Sequence, residues 1–518
     1  DGIMTIVLPH GVLFRGGEEG TIREQLVRKH NIETIIGLPA NLFYGTGIPT
    51  IIMILRKVRE RSDILFIDAS KGFIKDGNKN KLRQRDIRKI VDTVISRKNI
   101  DRYSRLVSFD EIKQNEFNLN IPRYVDSSDK VEPHDIFALM YGGIPNAEIN
   151  SEKLAPFWRQ FPTLKNELFK AINSKYSVTA AENLKEIIEN NADVASFISF
   201  YNNKFSYLKT YLENEFLSNP ASIHLSSLEM KIAASIREKI DDNGLIDYYD
   251  CFEALDNVWQ EILLDLETVK TQGFAAAKEI DDIKVLKKDS KTKKLEEKVI
   301  GTDGRLIPFA MIQNLYFSDL ADEVSALDIE ISALANEKDD LLDSIEPDDK
   351  AELFKDGDSS NIDSKKLKSK IAEIKKNIKK GAEYEDDSYE SIIMSIDKTN
   401  NKISQVKKAL KTKKTVLDSE TEEKIKTLTD EEIHNILVKK WIDPICDGIT
   451  NLPHTLISSL ESQIDALSKK YDTSFTELDS QISEAESSLS GMLDDLTGND
   501  FDMQGLAELK KLLGGSAK

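Results

Sequence analysis

Four short β-branched runs open the chain. Residues 3–8 (IMTIVL), 32–38 (IETIIGL), 49–55 (PTIIMIL) and 63–67 (DILFI) are each bounded by Gly, Pro or charge. That pattern predicts strands, several buried on both faces. Between the first two lies GGEEGTIREQLVRKHN, with Ile22, Leu26 and Val27 within one broad helical face. Strand, helix, strand in that order predicts an α/β sheet. Only about ten residues separate the second and third runs, too few for a crossover helix, so these two form an antiparallel hairpin. Residues 86–98 read as a short helix and 101–125 as an irregular exit.

From about 127 to 300 the apolar spacing changes to threes and fours. Val194, Phe197, Tyr201 and Phe205 carry it, then Leu208, Leu212 and Phe216, and the segment reads as a helical domain. Its linkers are 142–148 (GGIPNAE), 217–222 (LSNPAS) and the lysine-rich 284–298. Beyond residue 301, Leu320, Val324, Leu327, Ile331, Leu334, Lys338, Leu341 and Ile345 trace a heptad seam. A second seam runs through Leu460, Ile464, Leu467 and Tyr471, then Leu478, Ile482, Ala485 and Leu489, with a break in the repeat near Phe475. Two distant seams predict an antiparallel helical pair closed by a charged insertion over 347–440. Two independent oligomerisation helices are the other reading. The fold class is thus α/β followed by all-α, in three segments: 1–126, 127–300 and a coiled-coil arm over 301–518.

Charge sharpens this picture. The net charge is −19 over 518 residues, yet residues 1–126 hold 22 Lys and Arg against 16 Asp and Glu. Residues 71–105 alone hold 12 basic and 4 acidic residues. An acidic protein with one basic block is a poor general polyanion binder, but that block can face phosphates; a solvated helix face is the plainer reading. No apolar run approaches the roughly 20 residues of a membrane span. Cys251 and Cys446 lie far apart, so neither a disulfide framework nor a thiolate metal cluster is indicated. A soluble, cytoplasmic protein fits. The opening DGIMTIVLPHG enters a strand abruptly, without an initiator Met, and reads as the interior of a longer protein.

No complete catalytic constellation stands in these residues. YGTGIP (44–49) lacks the Walker lysine and precedes a strand, and RGGEEG (15–20) sets carboxylates where phosphate would bind. The glycines of both motifs read as turn residues. The six histidines are scattered without helical i, i+4 spacing, so no metal site is indicated, and no Gly-x-Ser-x-Gly elbow occurs.

VLPHGVLFRGGEEGTIREQLV, IIGLPANLFYGTGIPTIIMIL, ILFIDAS, NKLRQRDIRKIV and FNLNIPRYV follow one another in the first 125 residues. In that order and spacing they resemble the modification (methyltransferase) subunit of type I restriction–modification systems, the adenine-N6 DNA methyltransferases. GGIPNAEI (142–149) and GRLIPFAMIQNLYF (304–317) look like the family's downstream segments. The resemblance implies the C-terminal half of a Rossmann-like sheet with a late antiparallel hairpin. It makes LFYGTGIP the loop whose aromatic stacks on a flipped adenine, with Phe43 as the matching residue and Tyr44 as alternate; Phe43 as a hairpin-core residue is the competing reading. Gly45 and Gly47 would let that loop turn. Lys71, Lys75, Lys79, Lys81, Arg83, Arg85, Arg88 and Lys89 become candidate contacts to the DNA backbone.

The family binds S-adenosylmethionine through a glycine-rich acidic loop and orients adenine with an Asn-Pro-Pro-aromatic tetrapeptide. No two of the 13 prolines here are adjacent, and that cofactor loop is missing too. The resemblance therefore places both upstream, with no catalytic residue in this chain, and implies a chain that alone neither binds the cofactor tightly nor methylates DNA. It also implies partners: DNA, a specificity subunit docked through the C-terminal helices, a second modification subunit and a restriction subunit. A non-catalytic scaffold with a relic α/β half-domain is the alternative.

Overall fold

The computed structural model describes residues 2–128, 134–180, 183–218, 220–241, 244–288, 295–346, 349, 353–355, 358–385 and 388–513. They form two compact units, Asp1–Leu212 with His224–Glu261 and Asp443–Lys518, and Glu213–Ile223 with Ile262–Ile442.

The first unit is built on a five-stranded mixed sheet. Its strands are β1 (Ile3–Pro9), β2 (Ile32–Gly37), β3 (Thr50–Arg56), β4 (Ile64–Asp68) and, after the small hairpin of β5 (Ile74–Asp76) and β6 (Lys79–Lys81), β7 (Ser104–Val107). Their order is β1-β3-β2-β4-β7. β2 and β3 form the antiparallel hairpin expected from their short connection, and β2 runs parallel to β4.

Alternation along the central strands sends side chains to two cores. Ile35, Phe66, Ile51 and Met53 join Leu13, Val27 and Ile112 on one face. Ile36, Leu65 and Ile67 meet Ile90 of helix α2 (Gln84–Ser96) on the other. Covering both faces is what makes these runs almost continuously apolar. Helix α1 (Gly17–Arg28) lies on the first face. Val27 is buried there, whereas Ile22 is 60% exposed; the anticipated apolar face is narrower than its spacing suggested. Arg23 points inward in its stead, donating to the carbonyls of Phe117, Val12 and Arg15 at 2.9, 2.8 and 2.9 Å. A guanidinium's planar fork thus satisfies backbone that would otherwise be orphaned.

Three further expectations are corrected. Residues 101–125 are not an irregular exit: they contain β7 and helix α3 (Phe109–Gln114), capped by Ser108. The segment after 127 is not purely helical, because β8 (Ile144–Pro145), β9 (Phe169–Ala171) and β10 (Tyr176–Thr179) make a small antiparallel sheet. The supposed linker at 284–298 belongs to a two-stranded ribbon of β11 (Ile280–Lys288) and β12 (Leu295–Gly304); residues 289–294 lie outside the described set.

Each heptad seam finds its partners within its own unit. In the second unit the helix Ser318–Asp343 runs antiparallel to the helix Tyr389–Thr427, which comes from the charged insertion. Gln313 reaches Asp418 at 3.4 Å, Lys413 pairs with Glu323, and Thr399 meets Glu337 at 3.4 Å. In the first unit Ile457, Leu460, Ile464 and Tyr471 enter a core with Phe157, Phe161, Leu164 and Ile188. The break near Phe475 is real: the helix Leu452–Lys470 ends, and Ser474 caps a new helix, Phe475–Met492. On that new helix Leu478, Ile482 and Leu489 are exposed.

Candidate functional site

The connection from β2 to β3 emerges at the carboxyl end of β2, beside the carboxyl end of β4, the edge at which open α/β sheets place their sites. Residues 38–49 turn there on two left-handed positions, Asn41 at φ 59° and Gly45 at φ 83°. Asparagine tolerates that region and glycine enters it without a Cβ penalty. Gly47 keeps ordinary backbone, so only one of the two turn glycines is demanded by conformation. The loop then holds its aromatics outward. Tyr44 is 93% exposed and Phe43 40% exposed, so neither is a hairpin-core residue.

The loop is braced from the β5–β6 hairpin. The Lys79 ammonium donates to Asn41 Oδ1 at 3.2 Å and to the Phe43 carbonyl at 2.9 Å. Asn41 Nδ2 donates to the Asn78 carbonyl at 2.8 Å, and Asn80 Nδ2 to the Ala40 carbonyl at 2.8 Å. The Asn80 amide adds a bond to the Asn41 carbonyl at 3.1 Å. Charge-assisted bonds of this kind are roughly twice as strong as neutral ones. Sequence reasoning placed Lys79 on DNA and missed Asn41 and Asn80 altogether. The only available signal was an Asn beside a Gly-rich turn.

The basic block divides in the same way. Lys71, Lys75 and Lys81 are exposed. Arg83 instead forms an ion pair with Asp86 at 2.8 Å, closing a capping box at the start of α2. This side-chain hydrogen bond raises the Arg83 pKa. Arg85 pairs with Asp250, and its amide donates to Glu253 Oε2 at 2.9 Å. Arg88 pairs with Asp92 at 3.0 Å and lies 5.6 Å above the Phe252 ring. Lys89 sits 4.5 Å over the Tyr103 ring and 5.8 Å over that of Tyr249. Burial pushes the Tyr249 phenol up to about 12. Arg83, Arg85, Arg88 and Lys89 therefore pair within the fold, and Lys79 is engaged by the loop.

Chemistry at the strand ends is equally committed. Asp68, at the end of β4, accepts from the Ser70 amide at 3.0 Å and from the Ser127 hydroxyl. His10 stands nearby, its pKa lowered by burial against the opposing pull of Asp68. No group of three or more His, Cys, Asp or Glu that could hold a metal occurs among the described residues. Nor is any helix among them long and apolar enough to cross a membrane.

Residues 1–133 match the family model described as N-6 DNA Methylase. The chain is 38% identical over 140 residues to the type I restriction enzyme MpnII methylase subunit of Mycoplasma pneumoniae, covering 27% of this chain and 26% of that protein. It is 42% identical over 137 residues to the MjaVII methylase subunit of Methanocaldococcus jannaschii, covering 25% and 24%. Among solved structures, the type I restriction–modification methyltransferase subunit from Streptococcus thermophilus is 54% identical over 24% of this chain and 27% of its own, with a TM-score of 0.24. The matches span about a quarter of the curated relatives' length. The first 133 residues are thus similar to N-6 DNA methylases, and within that stretch to the methylase subunits of type I restriction enzymes.

That family implies S-adenosylmethionine. Its ribose calls for a free carboxylate and its charged end for open donors beside a glycine-backed turn. Here the carboxylate of Asp68 is already bonded on both oxygens. The space over Gly37 is filled by Ile121, whose Cδ1 would lie 2.7 Å from an added Cβ. Each Asp68 oxygen keeps a lone pair for a further donor, but with Ile121 over Gly37 the cofactor has no room against this glycine.

Proposed function

We propose that residues 1–126 act as the C-terminal part of a DNA adenine-N6 methyltransferase catalytic domain, forming the wall that receives the target base. The observation that carries this reading is the braced loop of residues 38–49, an exposed aromatic tip in a segment related to N-6 DNA methylases. A base turned out of a duplex loses its neighbours' stacking, and an aromatic face restores part of it, about 1–3 kcal/mol. Tyr44, standing clear of the loop, is better placed for this than Phe43. Lys71, Lys75 and Lys81 are the phosphate contacts that the reading keeps from the basic block. Arg83, Arg85, Arg88 and Lys89 become structural, and Lys79 positions the loop.

Cofactor binding, on this reading, is supplied by a segment carrying the glycine-rich loop and the Asn-Pro-Pro-aromatic tetrapeptide, beyond what these 518 residues contain. The helices of 452–513 serve as the docking surface for a specificity subunit, whose assembly brings in a second modification subunit and a restriction subunit. The exposed apolar side chains of Phe475, Leu478 and Ile482 support an assembly role, and they would serve a purely scaffolding protein equally.

Calorimetry with S-adenosylmethionine on this chain and on the complete gene product, followed by methylation assays of the Tyr44→Ala parent, tests the reading. We expect cofactor binding in the complete product alone, and a loss of about 5- to 100-fold in methyl transfer from the variant. A variant and its Phe43→Ala counterpart that both methylate at the parent's rate would sink it.

A further inference from the structure

We propose that the helix Tyr389–Thr427 of the second unit is a second DNA-backbone surface, separate from the sheet and its loop. Between Asp397 and Asp418 this helix carries seven lysines and no acidic residue. Lys398, Lys402, Lys407, Lys408, Lys411 and Lys414 are all exposed. Lys413, the seventh, pairs with Glu323. The stretch 398–414 is about 24 Å long at 1.5 Å per residue, which matches about seven base pairs of duplex at 3.4 Å each. Next to it the helix Ser364–Ile378 adds six lysines against one glutamate.

Three comparisons select the ligand. A solvated helix alternates charge sign so that i, i+4 neighbours attract; here Lys407 faces Lys411 and Lys411 faces Lys414, which repel. The carboxylates are segregated onto the antiparallel partner Ser318–Asp343, which holds nine acidic residues and a single lysine. A protein partner would want an apolar centre, and lysine is depleted from such interfaces; Val416 is the one large apolar side chain exposed between Asp397 and Asp418. A single-stranded nucleic acid would want aromatic platforms, and none occurs from residue 390 to 440. What remains is a run of compact ammonium groups on a rigid rod, suited to the evenly spaced phosphates of a duplex. A shallow groove of about 590 Å³ along the same helix is lined by Ser391, Met394, Ser395, Asp397, Lys398, Asn401, Lys402 and Gln405; its hydroxyls, amides and lysines can hydrogen-bond phosphate without reading sequence, while Asp397 pairs with Lys375.

The test is fluorescence anisotropy of the full chain with a labelled 20-base-pair duplex of arbitrary sequence, between 50 and 200 mM salt. Each phosphate contact contributes about 0.9 to the slope of log affinity against log salt. Lys407→Gln, Lys411→Gln and Lys414→Gln together, on one face of the helix at 3.6 residues per turn, are expected to lower the slope by about 2–3 and the affinity at 50 mM salt by tenfold or more. The triple Arg variant should bind like the parent chain. The inference is overturned if the Gln variant, with unchanged circular dichroism, keeps the parent's slope. It is overturned equally if the Arg variant also loses binding, or if the chain prefers single strands. Lys75→Gln with Lys81→Gln, measured alongside, reports on the sheet surface alone, so failure of one surface is separable from failure of the other.

Discussion

Two lysine- and arginine-rich stretches meet opposite fates in this molecule. The stretch 83–89 on and before α2 turns its cations inward, onto Asp86, Asp92, Asp250 and the rings of Phe252 and Tyr249. The stretch 398–414 leaves six of its seven lysines exposed. Their local charge densities are similar, so density alone does not say which one faces a ligand. The difference is made by carboxylates: Asp86 and Asp92 sit three and four residues from Arg83 and Arg88, and Asp250 reaches Arg85 from far along the chain. Arg85 and Asp250 are 165 residues apart, whereas residues 398–414 have carboxylates of their own helix only at the two ends, Asp397 and Asp418, and Lys413 alone pairs across with Glu323. Inward cations hold a fold together; outward ones are available.

The largest effect expected from this contrast is on stability. Arg85→Ala strips Asp250 of its cation in a half-buried setting, while the amide of residue 85 still serves Glu253, and should cost about 1–3 kcal/mol in denaturant unfolding. It should leave the salt slope of DNA binding unchanged. Single Gln substitutions at Lys402 or Lys408 should do the reverse, moving stability by less than about 0.5 kcal/mol. If Arg85→Ala lowers the slope by about one unit and spares stability, the division between the two stretches is wrong.

Next comes the brace. Lys79→Met removes two charge-assisted bonds from the loop and should raise hydrogen exchange of amides 41–47 about tenfold, the equivalent of about 1.4 kcal/mol of local opening. Exchange in the β2 and β4 amides should stay as it was. Uniform acceleration across the sheet would mean that Lys79 supports the domain rather than the loop.

The smallest effect concerns Asp256, where inward carboxylates outnumber the cations serving them. Burial, with Glu229 and Glu253 nearby, pushes its carboxyl up to about 6, above an ordinary value of 3.8. A carboxyl whose folded pKa is raised binds its proton more tightly in the folded state. It therefore favours folding below about pH 4, and that contribution is lost as pH rises through 6. Asp256→Asn should raise Tm by one or two degrees at pH 7, with the gain vanishing near pH 4. A gain that persists unchanged at pH 4 contradicts the assignment.

How far the sequence could be read follows the same logic of where partners come from. β2 to β4 were legible because β-branched runs buried on two faces leave a local signature, β1 from its β-branched run although it is an edge strand with Ile3, Met4 and Val7 exposed, and the β2–β3 hairpin because its connection is short. The heptad seam at 320–345 was legible in register, since Val324, Leu327 and Ile331 face its partner. Its partner was not: Ile403, Val406 and Leu410 lie among lysines that masked a long helix as an insertion. The ribbon of β11 and β12 read as a linker because charged side chains on both faces erase the alternation by two. At the site, the exposed aromatics could be named from the loop, but their brace could not. Nothing local to Lys79 says that its ammonium closes on a carbonyl 36 residues away.

One experiment bears on the base-receiving loop before any other. A duplex carrying 8-azidoadenine opposite a mismatch, where turning the base out costs least, would be irradiated with the full chain and the tryptic peptides mapped by mass spectrometry. We expect the crosslink in the peptide 30–56, at Tyr44, weakened when the same base is correctly paired. Crosslinks confined to the lysine helix of the second unit, with none in that peptide, would contradict a base-receiving loop and leave the chain a backbone binder only.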